Sequence, residues 1–93
     1  MSGLDSVLFL RMGGGSTTVR MSQLFLDRIR SEAADADVPI NTYVIGRIWD
    51  EARPHLSEPE RKQPPSLAGV REAASRSRRS FSSLCRDALA GAP

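Results

Sequence analysis

The stretch Ser16-Thr17-Thr18-Val19-Arg20-Met21-Ser22-Gln23-Leu24-Phe25-Leu26-Asp27-Arg28-Ile29 changes its apolar period partway along, from that of a strand to that of a helix. Ser16 to Met21 alternates. Val19 and Met21 fall on one face and Ser16, Thr18 and Arg20 on the other, as in a strand with one dry side. Ser22 follows with a hydroxyl that can accept from the backbone one turn on, the chemistry of a helix N-cap. From Gln23 the apolar positions Phe25/Leu26, Ile29, Ala33 and Ala36 recur at helical spacing, with Asp27, Arg28, Arg30, Ser31 and Glu32 on the other faces. Asp35 and Asp37 are unfavourable at a helix C-terminus, and Pro39 stops the helix. A second helix is predicted from about Ile40 to Ala52. Its stripe is Ile40, Val44, Ile48 and Ala52, widened by Tyr43, Ile45 and Trp49, and the Arg53-Pro54 step ends it.

This strand–helix–helix order leaves two debts. One short strand cannot stand alone, because its backbone groups need a neighbour. The second helix is apolar on more than one side and cannot hide every side chain against one partner helix. Two copies pairing strand to strand and interlocking their helices would settle both. The chain has 93 residues, 40% hydrophobic and 5% aromatic, which is thin for a self-sufficient core and points the same way.

The residues Thr18-Val19-Arg20-Met21-Ser22, then Phe25-Leu26 and Ile29, then Val38-Pro39-Ile40-Asn41-Thr42-Tyr43-Val44 resemble the ribbon-helix-helix DNA-binding fold of the Arc, MetJ and CopG repressors. The resemblance covers residues 16–52. It departs at Asp37, where the family often has Gly and which asks for a different turn geometry. It departs again at Pro39, where the family often has a capping Ser or Thr that can reach a phosphate. The resemblance implies a mainly α fold with one short strand per chain, assembled as a ribbon-helix-helix homodimer around an intersubunit antiparallel ribbon. Such a ribbon enters the major groove of double-stranded operator DNA. Ser16, Thr18 and Arg20 would then read base edges, with Arg20 suited to a two-bond contact with guanine. The backbone N–H groups of Ile40 and Asn41, with the Asn41 and Thr42 side chains, would hold a phosphate.

Outside this segment the organisation is looser. Residues 1–15 end in Gly13-Gly14-Gly15 and read as a flexible arm. A hairpin through those glycines, pairing Val7–Leu10 with Ser16–Met21, is the other arrangement. The contiguous apolar run lacks the alternation of a half-exposed strand, which favours the arm. Residues 53–65 hold four of the six prolines and read as an extended linker. Residues 66–93 form a partner-binding tail, helical or disordered on its own. Leu67, Val70, Ala74, Phe81, Leu84 and Ala88 make an apolar stripe interrupted at Ser77, and Ser66 can cap it. No internal repeat is evident. Small ribbon-helix-helix proteins with such tails are often antitoxins. The resemblance therefore implies a repressor whose tail binds a cognate toxin through Leu67, Val70, Phe81 and Leu84.

Charge divides with the segments. Residues 1–52 carry five Arg against seven acids, whereas residues 53–93 carry seven Arg and Lys62 against four acids. An acidic front half is unusual for a DNA binder and keeps a second class of function open: an inhibitor or adaptor acting through the tail. A copy-control or relaxosome accessory protein without a toxin is the third reading. One Cys and one His cannot build a four-ligand zinc site or a recognisable nucleophile–base set, so neither enzyme nor cofactor is expected. Cys85 and Trp49 read as packing residues and His55 as unspecialised. No window reaches the roughly 18 apolar residues of a membrane span, and no secretory signal is seen, which places the expected protein in the cytoplasm.

Overall fold

Residues 5–90 are described by a computed structural model; residues 1–4 of the expected arm and 91–93 of the expected tail lie outside the described residues. The molecule is mainly helical around one two-stranded antiparallel sheet. Strand β1 (Asp5–Met12) pairs with strand β2 (Gly15–Ser22), with Leu8 opposite Val19, Phe9 opposite Thr18 and Arg11 opposite Ser16. The neighbour that β2 requires is therefore the chain's own β1, in place of a strand from a second copy. Residues 5–12, expected as part of a flexible arm, form a strand that the sequence conceals because its alternation is obscured. Leu8 and Leu10 are buried beneath the sheet, while Val7 and Phe9 point outward, so both faces look apolar in the sequence. The glycines are a hairpin turn and not a joint. Gly14 takes φ 93, a conformation open to glycine at little cost.

Helix α1 (Gln23–Asp35) begins at Ser22, whose Oγ accepts from the Phe25 N–H. It buries Leu26, Ile29 and Ala33. Asp37 then enters the left-handed region at φ 60, so the turn keeps the geometry a glycine would give, contrary to the expectation of a different one. Helix α2 (Ile40–Ala52) follows, with Val44, Ile48, Trp49 and Ala52 buried. Tyr43 Oη donates to Glu32 Oε1 at 2.8 Å and ties the two helices together. That bond, helped by Arg28, holds the Glu32 carboxyl below its usual value.

The expected extended linker is a folded strap. A 3-10 turn at Arg53–His55 leads through buried Leu56 into the short helix α3 (Glu58–Arg61). Ser57 and Glu60 form a reciprocal capping box, a signal that Ser57-Glu58-Pro59-Glu60 carries in the sequence. The tail is two helices, α4 (Leu67–Arg76) and α5 (Phe81–Ala90), broken where Arg78 takes φ 60. Both pack against α2 and close its second apolar side. The debt that asked for a second copy's helices is settled inside the chain. Leu67, Val70 and Leu84, expected to face a toxin, are buried in this core, and Phe81 is half-buried against it. Each buried aliphatic side chain of this kind is worth roughly 1.5–3 kcal/mol, which is why the tail folds back. Arg79 locks the arrangement by bonding Glu51 of α2 at 3.0 Å and Asp87 of α5 at 2.8 Å.

Trp49 sets the seat of α4. A Cβ on Gly69 would lie 2.7 Å from the indole Cη2. Gly69→Ala is therefore expected to lower stability by about 1–3 kcal/mol through overpacking, read from urea unfolding; an unchanged midpoint would show that α4 does not lie on Trp49. The strap is held by charge. Glu60 Oε1 accepts from Arg76 Nη1 at 2.8 Å and from the Ser57 N–H at 2.7 Å. The Arg76 guanidinium above all, then the Ser57 N–H, pull its pKa from 4.5 to about 2. Because the folded value is the lower one, this stabilisation is full above the unfolded value and fades as pH falls towards the folded one. Wild type should thus lose more stability across that acid window than Glu60→Gln, and superimposable pH profiles would contradict the strap's ion pair.

Candidate nucleic-acid interface

The pleat turns Val7, Phe9 and Arg11 of β1 and Ser16, Thr18 and Arg20 of β2 away from the core, since Leu8, Leu10, Val19 and Met21 occupy the other face. Ser16, Thr18 and Arg20 are thus brought together on one exposed ribbon surface, beside Arg11 and Phe9 of the neighbouring strand. Between Ser6 and Ser22 the sequence carries these two arginines and no acid. Neither arginine has an ion-pair partner among the described residues. Phe9 is 73% exposed, an unusual position for a large aromatic side chain.

The two edges of the ribbon differ. Beside β1 stands the first turn of α2. Asn41 Oδ1 accepts from the Arg11 N–H at 3.0 Å, and Asn41 Nδ2 donates to the Arg11 carbonyl at 3.2 Å. The Asn41 side chain, expected to hold a phosphate, is therefore engaged in satisfying a strand edge. Thr42 remains exposed, and Ile40 is half-buried against the core. Pro39 precedes them as the N-cap residue and gives the helix no side-chain cap bond, so the first-turn N–H groups have no side-chain acceptor there.

Beside β2 lies an open groove lined by Val7, Thr18, Val19, Arg20, Ser82 and Arg86. The floor belongs to the ribbon and the wall to the first turns of α5. Ser80 caps that helix, its Oγ accepting from the Ser83 N–H at 3.0 Å. Arg20 and Arg86 also line the adjoining groove with Met21 and Ser22. Among the described lining residues, two guanidinium groups and two hydroxyls stand without a carboxylate, a surface suited to an anion such as a phosphate. Sequence reasoning missed Ser82 and Arg86 because they reach the ribbon only after the chain turns at Arg78.

Cys85 is fully buried, and burial pushes its thiol pKa up to about 11, which suppresses the reactive thiolate. Among the described residues no group of three or more His, Cys, Asp or Glu could hold a metal ion. None of the described helices is long and apolar enough to cross a membrane. Comparison of the chain with protein-family models, curated proteins and solved structures gives no match.

Proposed function

We propose that this protein binds double-stranded DNA and regulates transcription as a sequence-specific repressor, seating the β1–β2 ribbon in the major groove. A two-stranded ribbon fits that groove, and only its outward side chains can reach base edges. The observation that carries the reading is the Arg20 guanidinium on the outward face, without an ion-pair partner among the described residues and sharing a groove with Thr18, Ser82 and Arg86. In this reading Arg20 takes guanine O6 and N7, Thr18 a base edge, and Phe9 a thymine methyl. Arg86 and the first turn of α5 take a phosphate at the β2 edge, while Thr42 and the N–H groups of Ile40 and Asn41 take one at the other. The ribbon's outward basicity, and not the charge of residues 1–52 as a whole, is what supports a polyanionic partner.

The toxin half of the antitoxin reading has less behind it. Leu67, Val70 and Leu84 are buried within the chain, so a toxin would reach them only by opening α4 and α5. A second reading, an adaptor that docks a partner protein, is favoured by one observation: Phe9 and Val7 are exposed apolar side chains on one strand face.

Arg20→Ala distinguishes them. The side chain is exposed, so the fold should be unchanged. Selectivity for the preferred duplex over random sequence should fall by about 1–3 kcal/mol. Arg86→Ala should instead weaken binding to all duplexes and flatten the salt dependence by about one unit. An Arg20→Ala variant that binds and discriminates as wild type would remove the ribbon from DNA recognition.

A further inference from the structure

The two helix pairs are one unit used twice. A single constant shift in residue number carries Leu26 onto Leu67, Ile29-Arg30 onto Val70-Arg71, Ala33 onto Ala74, Val44 onto Cys85 and Ile48 onto Leu89. Every one of these except the two arginines is buried. Under the same shift the turns agree bond by bond. Asp37 N–H to Ala34 O at 3.0 Å matches Arg78 to Ser75 at 3.1 Å, and Val38 to Ala33 at 3.1 Å matches Arg79 to Ala74 at 2.9 Å. Tyr43 to Pro39 and Leu84 to Ser80 are both 3.0 Å. Asp37 and Arg78, the two non-glycine residues at positive φ among the described residues, are equivalent and share the value 60.

The strands repeat with a different shift, which carries Leu10-Arg11-Met12 onto Val19-Arg20-Met21 and Phe9 onto Thr18. Where a two-fold axis passes, equivalent residues must meet, and they do so twice. Phe9 faces Thr18 across the ribbon. Between α2 and α5, Arg47 Nη2 donates to the carbonyl of its own equivalent, Ala88, at 3.3 Å. The connections agree as well. β2 runs covalently into α1, while β1 ends at Met12 and the next residue, Gly13, has a carbonyl that accepts from the Leu67 N–H at 3.0 Å beside a bridge to Ser66. In space α4 continues from β1 as α1 continues from β2. Asn41 grips Arg11, and its equivalent Ser82 lines the groove beside Arg20, the equivalent of Arg11.

We infer that one copy of this chain is a complete two-fold reader, with β2, α1 and α2 as one half and β1, α4 and α5 as a permuted second half. Resting on the DNA-binding reading above, this assigns the ribbon a single duplex site whose two halves differ. Arg11 and Arg20 approach the two halves from equivalent positions. The pairs Val7 and Ser16, Phe9 and Thr18, and Asn41 and Ser82 are equivalent in place but not in chemistry, so exact dyad symmetry in the DNA would leave one half mismatched.

The test uses the full-length chain. Its mass is measured by sedimentation equilibrium, its preferred duplex is selected from a random pool, and the complex is titrated for stoichiometry. Arg11→Ala and Arg20→Ala, both at exposed side chains without an ion-pair partner among the described residues, are assayed on the selected duplex. The expected result is a monomer that binds one duplex per chain on a site without dyad symmetry. Each variant should lose about tenfold affinity or more, and each should relax preference on a different side of the site's centre. Two chains on a palindrome would overturn the single-chain reader while leaving DNA recognition intact. A monomer that enriches no duplex would overturn DNA recognition and the partner assigned here. Loss confined to Arg20→Ala would overturn the equivalence of the two strands.

Discussion

The hydrogen bond from the Leu67 N–H to the Gly13 carbonyl, 3.0 Å long, joins the end of the hairpin's first strand to the start of α4. Almost everything distinctive about the fold follows from that junction. It brings together residues far apart in the chain, so its closure entropy must be met by what it organises. What it organises is the second layer of the core. With α4 started at the hairpin turn, its apolar face meets Trp49 and Ala52, and α5 can lie along α2. Gly69 makes the approach possible because any Cβ there would collide with the indole. The Leu56 strap and the Glu60–Arg76 ion pair then close the remaining side.

This packing also places the surface chemistry. The ribbon needs both faces of its pleat: the inner one is spent on Leu8, Leu10, Val19 and Met21, and the outer one is left to Arg11, Thr18 and Arg20. Each long edge of the ribbon is met by the start of a helix, α2 at Arg11 and α5 near Arg20. One edge is closed by Asn41 and the other is an open groove holding Arg86. A ribbon with two unlike edges and two unlike strands carries an inherent direction, which is the physical basis of the asymmetric site proposed for it.

Much of this was legible in the sequence from Ser16 to Ala52. The period of two across Val19 and Met21, the Ser22 cap and the Pro39 stop located β2, α1 and α2, because each element there buries one face and exposes the other. β1 reads as an arm in the sequence because exposed Val7 and Phe9 erase the alternation that Leu8 and Leu10 would otherwise show. The strap reads as extended because its four prolines dominate the reading, and the Ser57–Glu60 capping box passes unnoticed among them. The tail's single stripe is really two, since Arg78 adopts a left-handed turn that no glycine announces. The repeat was hidden for a topological reason: its strand and its helices shift by different amounts, so no single alignment of the chain on itself reveals both. Ser16, Thr18 and Arg20 were visible as an outward set, but Ser82 and Arg86 join them only through tertiary packing.

The most direct measurement of the central claim is a cross-link at the junction. An ideal Cβ on Gly13 lies 3.6 Å from the Ser66 Cβ, within the separation a disulfide spans. Cys85 is buried and does not compete. The full-length Gly13→Cys, Ser66→Cys variant, folded in reductant and then mildly oxidised, should close an intrachain disulfide, keep monomer mass on a non-reducing gel and retain its helical circular dichroism. Thiols that stay free under those conditions, or a disulfide-linked dimer, would contradict a fold in which α4 begins where β1 ends.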